Sequence, residues 1–337
     1  MFVKKDCTMK KQLIKILAAV VLLAGSAGAK PIPVILDTDI GGDIDDTWAL
    51  GLLLKSPELD VRLVVGDYGC ARYRAKLLAK FLQTVGRTDI PVGVGLDTLK
   101  VDAGPQFEWV KDYDLDTYPG KVYQDGIQAL IDTIMQSREP VTLICIGPLP
   151  NVAAALKREP RIAIHARFVG MFGSIHVGYD GSQKVTAEGN VRLDAKACQV
   201  VFAAPWDMTI TPLDTCGLFG LAGDRYAKIR DSQDPICAAL ITNYRIWAKA
   251  VNEAQMVDTR IDAEERTTVL FDTVAVYLAI RQDYCQMESL RIRITDDGFT
   301  RIDSGGRPVN VATAWKDLDA YSNFVVERLT GKSDFKR

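Results

Sequence analysis

Val34-Ile35-Leu36-Asp37-Thr38-Asp39-Ile40-Gly41-Gly42-Asp43-Ile44-Asp45-Asp46 decides how the rest of the chain is read. The apolar, β-branched run Pro33 to Leu36 predicts a strand buried on both faces. It runs straight into five carboxylates, Asp37, Asp39, Asp43, Asp45 and Asp46, within ten residues. A helix over Asp45 to Leu54 follows. Packed at one strand end, these carboxylates repel one another, and a cation is the simplest compensation. Hard carboxylate oxygens suit calcium or magnesium rather than zinc. Gly41 and Gly42 permit a tight turn, and Asp45 and Asp46 gain from the positive end of the helix they open. A solvated acidic turn is the plain alternative. A calcium loop of the EF-hand kind is a second, but the bidentate Glu at its twelfth position is missing. A metal site at a strand end accounts for most of the residues.

Outward from this stretch, short apolar runs alternate with helical patterns. Strands are expected at Val61 to Val65, Ile90 to Val94, Val141 to Ile146, Phe168 to Phe172 and Met208 to Thr211. Helices are expected at Ala71 to Val85, Asp125 to Met135, Val152 to Leu156, Asp194 to Phe202, Pro235 to Val251, Thr273 to Ile280 and Ala314 to Leu329, so the later part reads as mainly helical. Such alternation predicts an α/β fold with a mostly parallel central sheet flanked by helices. In such sheets ligands bind beyond the carboxyl ends of the strands. The acidic and polar clusters follow strand candidates. No repeat or low-complexity linker divides the chain.

The 337 residues are 48% hydrophobic and 25% charged, with a net charge of −2. No basic run is present, which argues against a nucleic-acid polymer as partner. Lys4, Lys5, Lys10, Lys11 and Lys15, the apolar run Ile16 to Ala24, and Ala27-Gly28-Ala29 form the three parts of an export signal. We expect cleavage after Ala29, with Met1 or Met9 as start. That leaves residues 30–337 as one catalytic domain, periplasmic or secreted. An uncleaved anchor is less favoured, because the apolar run is short for a span of about 20 residues. No stable membrane span is then expected after cleavage. Cys7, Cys70, Cys145, Cys198, Cys216, Cys237 and Cys285 lie singly, without metal-ligand spacing, and are expected mostly as core residues.

The stretch Val34 to Leu50 resembles the signature of the inosine/uridine-preferring nucleoside hydrolases, in a bacterial branch whose acidic loop is two residues longer. Further pieces agree in order: Val65-Gly66-Asp67, Ile144 to Ala153 with its Gly147-Pro148-Leu149-Pro150-Asn151 turn, Ala187-Glu188-Gly189-Asn190 with Asp194 to Ala197, and Leu270 to Ala275. The resemblance spans residues 33 to 320. It implies a single-domain hydrolase of the N-glycosidic bond of a ribonucleoside or related riboside, using Ca2+. By position, the ligands would be Asp39, Asp46, Asp272 and the main-chain carbonyl of Ile146, with Asp39 also the general base. Asp45, Asp67, Glu188 and Asn190 would contact the sugar. Asp67 stands where the better-known branch has Asn, and an ionised Asp accepts but does not donate. Homo-oligomers are also implied.

Two departures matter. Phe271 stands where that branch carries a His that protonates the leaving base, and Phe has no proton to give. Ser182 falls near a family Asn. His176, in the Gly173 to Ser182 loop, is a candidate contact for the leaving group, whereas His165 reads as structural. Tyr244 and Trp247 could stack on a base or belong to the core. The rival functions are a non-catalytic nucleoside or sugar binder on the same scaffold, and a phosphatase built on Asp37-Thr38-Asp39. The latter lacks the Lys and the later acidic motif it needs.

Overall fold

The computed structural model describes residues 30–99 and 103–331. The expected export signal lies outside the described residues. The strands are β1 (Ile32–Thr38), β2 (Leu59–Gly66), β3 (Val92–Gly93), β4 (Val122–Tyr123), β5 (Val141–Cys145), β6 (Ala166–Met171), β7 (Asp207–Thr211), β8 (Cys285–Ile294), β9 (Thr300–Ile302) and β10 (Arg307–Trp315). They form one sheet in the order β4-β3-β2-β1-β5-β6-β7-β10-β8-β9. Pairing is parallel from β4 to β10, and β8 and β9 continue the edge as antiparallel strands.

Helices cover both faces: α1 (Asp45–Leu54), α2 (Ala71–Thr84), α3 (Gly126–Met135), α4 (Pro150–Arg158), α5 (Gly189–Leu193), α6 (Ala195–Ala203), α7 (Pro235–Glu253), α8 (Thr273–Ile280) and α9 (Leu318–Thr330) are those that bear on the site. Side chains of β1 alternate between two cores. Val34 and Leu36 join the core beneath α1, α2, α7 and α8, while Ile35 joins the core beneath α3, α4 and α6. This is why the sequence of β1 is apolar without a break.

The first strand has β2 on one side and β5 on the other, so the chain winds outward from it in both directions. The crevice between their carboxyl ends is the place where such sheets bind ligands. Two helices aim their N-termini there. Every residue of α1 is buried, and α8 is apolar nearly all round. Helices without a polar face belong in a core, and these two pack against each other.

The C-terminal part differs from expectation. Cys285 to Trp315 builds a strand, a short return strand and a second long strand rather than helix, and α9 begins at Leu318 rather than Ala314. This edge is half-exposed, with Glu288, Arg291 and Arg293 among its apolar residues, so no continuous buried run marks it. Among the described residues, Cys145, Cys198, Cys216, Cys237 and Cys285 are buried free thiols and Cys70 is partly buried. No described helix is long and apolar enough to cross a membrane.

Candidate active site

The acidic loop between β1 and α1 is held by donors from other elements. Arg74 of α2 donates to the carbonyls of Asp39, Ile40 and Tyr68, the last two at 2.8 and 2.9 Å. Tyr73 donates to the Gly41 carbonyl at 3.2 Å, and Trp247 donates to the Gly42 carbonyl at 3.0 Å. Gly41 has φ +97°, and a Cβ there would lie 2.3 Å from Leu77 Cδ1. Only glycine fits that backbone and that space.

Three carboxylates converge where α1 and α8 begin. Asp45, Asp46 and Asp272 each offer an oxygen within 4.8 Å of the others, and all three are buried. Thr38 donates to Asp46 Oδ1 at 2.5 Å, and the Asp272 amide donates to Asp45 Oδ2 at 3.4 Å. Burial pushes all three carboxyls well above the usual range, and their mutual repulsion and the charge of Asp39 add to it. Oxygens bound to one calcium at about 2.3–2.6 Å lie no more than ~5 Å apart. The donor set therefore fits one hard divalent cation, and the residues present suit it better than they suit one another.

Asp39 stands apart from this trio. Its side chain remains 16% exposed, and its Oδ2 lies 3.9 Å from Arg74 Nη2. Burial raises its pKa and Arg74 pulls it back. Its charge is felt by Asp37, Asp43, Asp45, Asp46, Asp67, Asp272 and Glu188, which places it amid the acids. Of the expected side-chain ligands, Asp46 and Asp272 lie in this cluster together with Asp45, and Asp39 is close enough for its charge to act on all three. Asp45, expected at the sugar, also lies in the cluster, and the Asp39 carboxylate lies toward Arg74.

The strand end of β5 closes the floor. A Cβ on Gly147 would sit 3.0 Å from the Asp39 amide and from Asp67 Oδ2. The Ile146 carbonyl accepts from Asn190 Nδ2 at 3.1 Å, as does the Met171 carbonyl. Asp67 is fully buried, and its two oxygens accept the Leu149 and Asn151 amides at 2.9 and 3.2 Å. It ties β2 to the turn after β5. Asn151, whose side chain donates to Asp37 at 2.9 Å and to the Gly66 carbonyl at 3.0 Å, completes that tie. Glu188 is buried and caps α5. It accepts from Gly173, Asn190 and Val191 amides at 3.0, 2.7 and 3.3 Å, yet desolvation outweighs these bonds and lifts its pKa to about 7.

Other expectations resolve differently. His176 is exposed, and its backbone amide donates to Asp214 Oδ1 at 2.8 Å. His165 is exposed at the end of a short helix. Tyr244 and Trp247 are buried and stack on each other at 6.2 Å, with the Tyr244 hydroxyl donating to the Arg266 carbonyl, so they are core residues and not a platform for a base. Phe271, beside Asp272, meets the ring of Tyr179 edge-on at 6.1 Å. Thr38 and Asn151 lie in stretches that the sequence marked out, but their partners Asp46 and Asp37 show only in the structure, and Arg74 and Tyr179 join through tertiary contacts alone.

A family model described as inosine-uridine preferring nucleoside hydrolase matches residues 34–323. The chain is similar to the non-specific ribonucleoside hydrolase RihC of Klebsiella pneumoniae, with 29% identity over 228 residues, covering 64% of this chain and 72% of that one. It is also similar to the pyrimidine-specific ribonucleoside hydrolase RihA of Escherichia coli O127:H6, with 31% identity over 193 residues, covering 54% of this chain and 60% of that one. Among solved structures, a plant nucleoside hydrolase, PpNRh1, superposes with a TM-score of 0.73 at 24% identity over 90% of this chain and 100% of that chain. A purine-preferring ribonucleoside hydrolase from Gardnerella vaginalis gives 0.71 at 21% identity over 89% and 98%. At these identities the structural likeness speaks for the fold.

Proposed function

Because the chain belongs to the inosine-uridine preferring nucleoside hydrolase family and is an N-glycosyl hydrolase, we propose that it cleaves ribonucleosides to base and ribose with calcium at the Asp45, Asp46 and Asp272 cluster. The observation that carries this reading is the convergence of three buried carboxylates within 4.8 Å beside a fourth, Asp39, that still meets solvent. Ionised carboxylates this close are compensated by a cation, and a carboxylate at the opening can meet a water. The Ile146 carbonyl, just past the end of β5, is assigned as a further ligand on the family resemblance.

Calcium, when bound, supplies Lewis acidity for an attacking water and a hold on vicinal ribose hydroxyls. Asp39 accepts the proton of that water. Its carboxylate lies at the opening, where it can reach a water. Attack at C1′ passes through an oxocarbenium-like state, which the surrounding acids stabilise. Asn190 and Glu188 line the wall on which the sugar hydroxyls bind. Arg74 holds the loop that carries Asp39. The chain is further read as exported and as a homo-oligomer, on the signal-like first 29 residues and on the family resemblance respectively.

The test is hydrolysis of inosine, uridine and p-nitrophenyl riboside by the purified protein, with chelator and after adding back calcium or magnesium. We expect cleavage that chelation abolishes and calcium restores. Inertness toward all three substrates with calcium present would overturn the reading. Retention of full activity in chelator would remove the metal from it.

A further inference from the structure

Phe271 poses a chemical problem that the fold itself answers. The residue beside Asp272 has a ring with no proton to offer. We propose that the hydroxyl of Tyr179 is the hydrogen-bond donor to the departing base. This rests on the reading of the site as a nucleoside hydrolase.

The geometry begins with the contact between the two rings, 6.1 Å apart and nearly perpendicular at 82°. Tyr179 is thereby fixed next to the residue that precedes the cluster carboxylate Asp272. Its hydroxyl oxygen accepts the Gly189 amide at 2.8 Å. Gly189 lies between Glu188 and Asn190, the wall assigned to the sugar. The phenol group therefore sits between the Glu188–Asn190 wall and the residue that precedes Asp272. A tyrosine hydroxyl has one proton and can accept as well as donate. Here the backbone occupies its acceptor side, and among the described residues no acceptor takes its proton. The side chain is also open to solvent, at 37% exposure, so an incoming ligand can reach it.

The turn that carries it is built to stay in place. The Gly178 amide donates to the Ser182 carbonyl at 2.8 Å, and the Ser182 amide returns to the Tyr179 carbonyl at 3.1 Å. Asp180 and Gly181 take φ of 57° and 72°, which closes the turn. A Cβ on Gly178 would lie 2.2 Å from the Lys184 carbonyl, so the two limbs of the loop touch.

The chemistry balances without a further reactant. The water oxygen bonds to C1′, and its proton passes to Asp39. The C1′–N bond breaks, and its electron pair goes to the base. The Tyr179 O–H stabilises the negative charge growing on a base oxygen or nitrogen. The base then takes a proton from solvent, and Asp39 releases one. An ordinary tyrosine titrates at about pH 10. The phenol thus keeps its proton and acts by hydrogen bonding.

Tyr179→Phe in the full chain is the test, with uridine, 5-fluorouridine and p-nitrophenyl riboside as substrates. Removing one donor aimed at developing charge costs about 10²–10³-fold in kcat. We expect a fall of about a hundredfold on uridine, a smaller fall on 5-fluorouridine, whose base leaves more readily, and little change on the nitrophenyl riboside. An equal loss on all three would overturn the proposal and make Tyr179 a positioning residue for Gly189, as would no loss on any. A thermal midpoint alongside shows whether Y179F is folded. A wild-type protein inert to every substrate would instead sink the nucleoside hydrolase reading itself.

Discussion

Asp39 and Asp45 carry nearly the same chemistry a few residues apart, yet the structure gives them separate surroundings. Asp45 is buried in the carboxylate cluster, while Asp39 leans toward Arg74 and the opening. The two should therefore separate in kinetics. Asp39→Asn should lower kcat by about 10²–10⁴-fold, the range for loss of a general base, and change calcium affinity less. Asp45→Asn should weaken calcium binding first, read by isothermal titration, with turnover partly recovered at high calcium. Equal loss of affinity in both variants would return Asp39 to the ligand set. The acidic residues themselves were plain in the sequence, because so many carboxylates after an apolar strand need an explanation. Which of them clusters was not, because that depends on side-chain direction and on Arg74, which comes from another element. Asp67 shows the same limit. Its place after β2 was legible, but its two backbone partners come from the turn after β5.

At the scale of elements, the site depends on a loop whose carbonyls are bonded from outside. Gly41 is its least replaceable member, since φ +97° and the 2.3 Å approach to Leu77 exclude a side chain. Gly41→Ala should cost about 1–3 kcal/mol for the left-handed backbone, with overpacking in addition. Chemical denaturation would register this as a lower midpoint, and turnover should fall as well, because the same loop bears Asp39. A midpoint unchanged from wild type would show that the loop relaxes freely. The elements around it were read with uneven success for a physical reason. The strand β1 and the helices α1 and α8 are buried on nearly all sides, so apart from the polar residues at the site end their sequences are apolar. The edge strands β8 to β10 mix charge with apolar residues, so they carry no continuous apolar run; their local signal is the alternation Leu290-Arg291-Ile292-Arg293-Ile294, which marks a half-exposed strand and went unread.

At the scale of the whole molecule, the acids couple stability to pH and to calcium together. Burial lifts Asp67 and Glu188 each to about 7, well above the range of the same groups in an unfolded chain. A carboxyl whose pKa is raised on folding gives its full stabilisation below its unfolded pKa and loses it as pH rises through the folded value. The chelated protein should therefore lose stability between about pH 4.5 and pH 7. Glu58, held low by Arg328, works in the opposite sense, but its contribution is lost only as pH falls below the usual carboxylate range. Calcium binds the ionised cluster and competes with protons, so its stabilisation should grow over the interval in which the chelated protein weakens. At a hundred times its dissociation constant a ligand adds about 2.7 kcal/mol, or roughly 5–11 °C at about 2–4 °C per kcal/mol for domains of 150–250 residues; the larger size of this one puts the shift at the low end. Differential scanning fluorimetry at pH 5 and pH 8, with calcium or with chelator, reads both effects at once. A calcium shift as large at pH 5 as at pH 8 would mean that the ion binds somewhere other than this cluster.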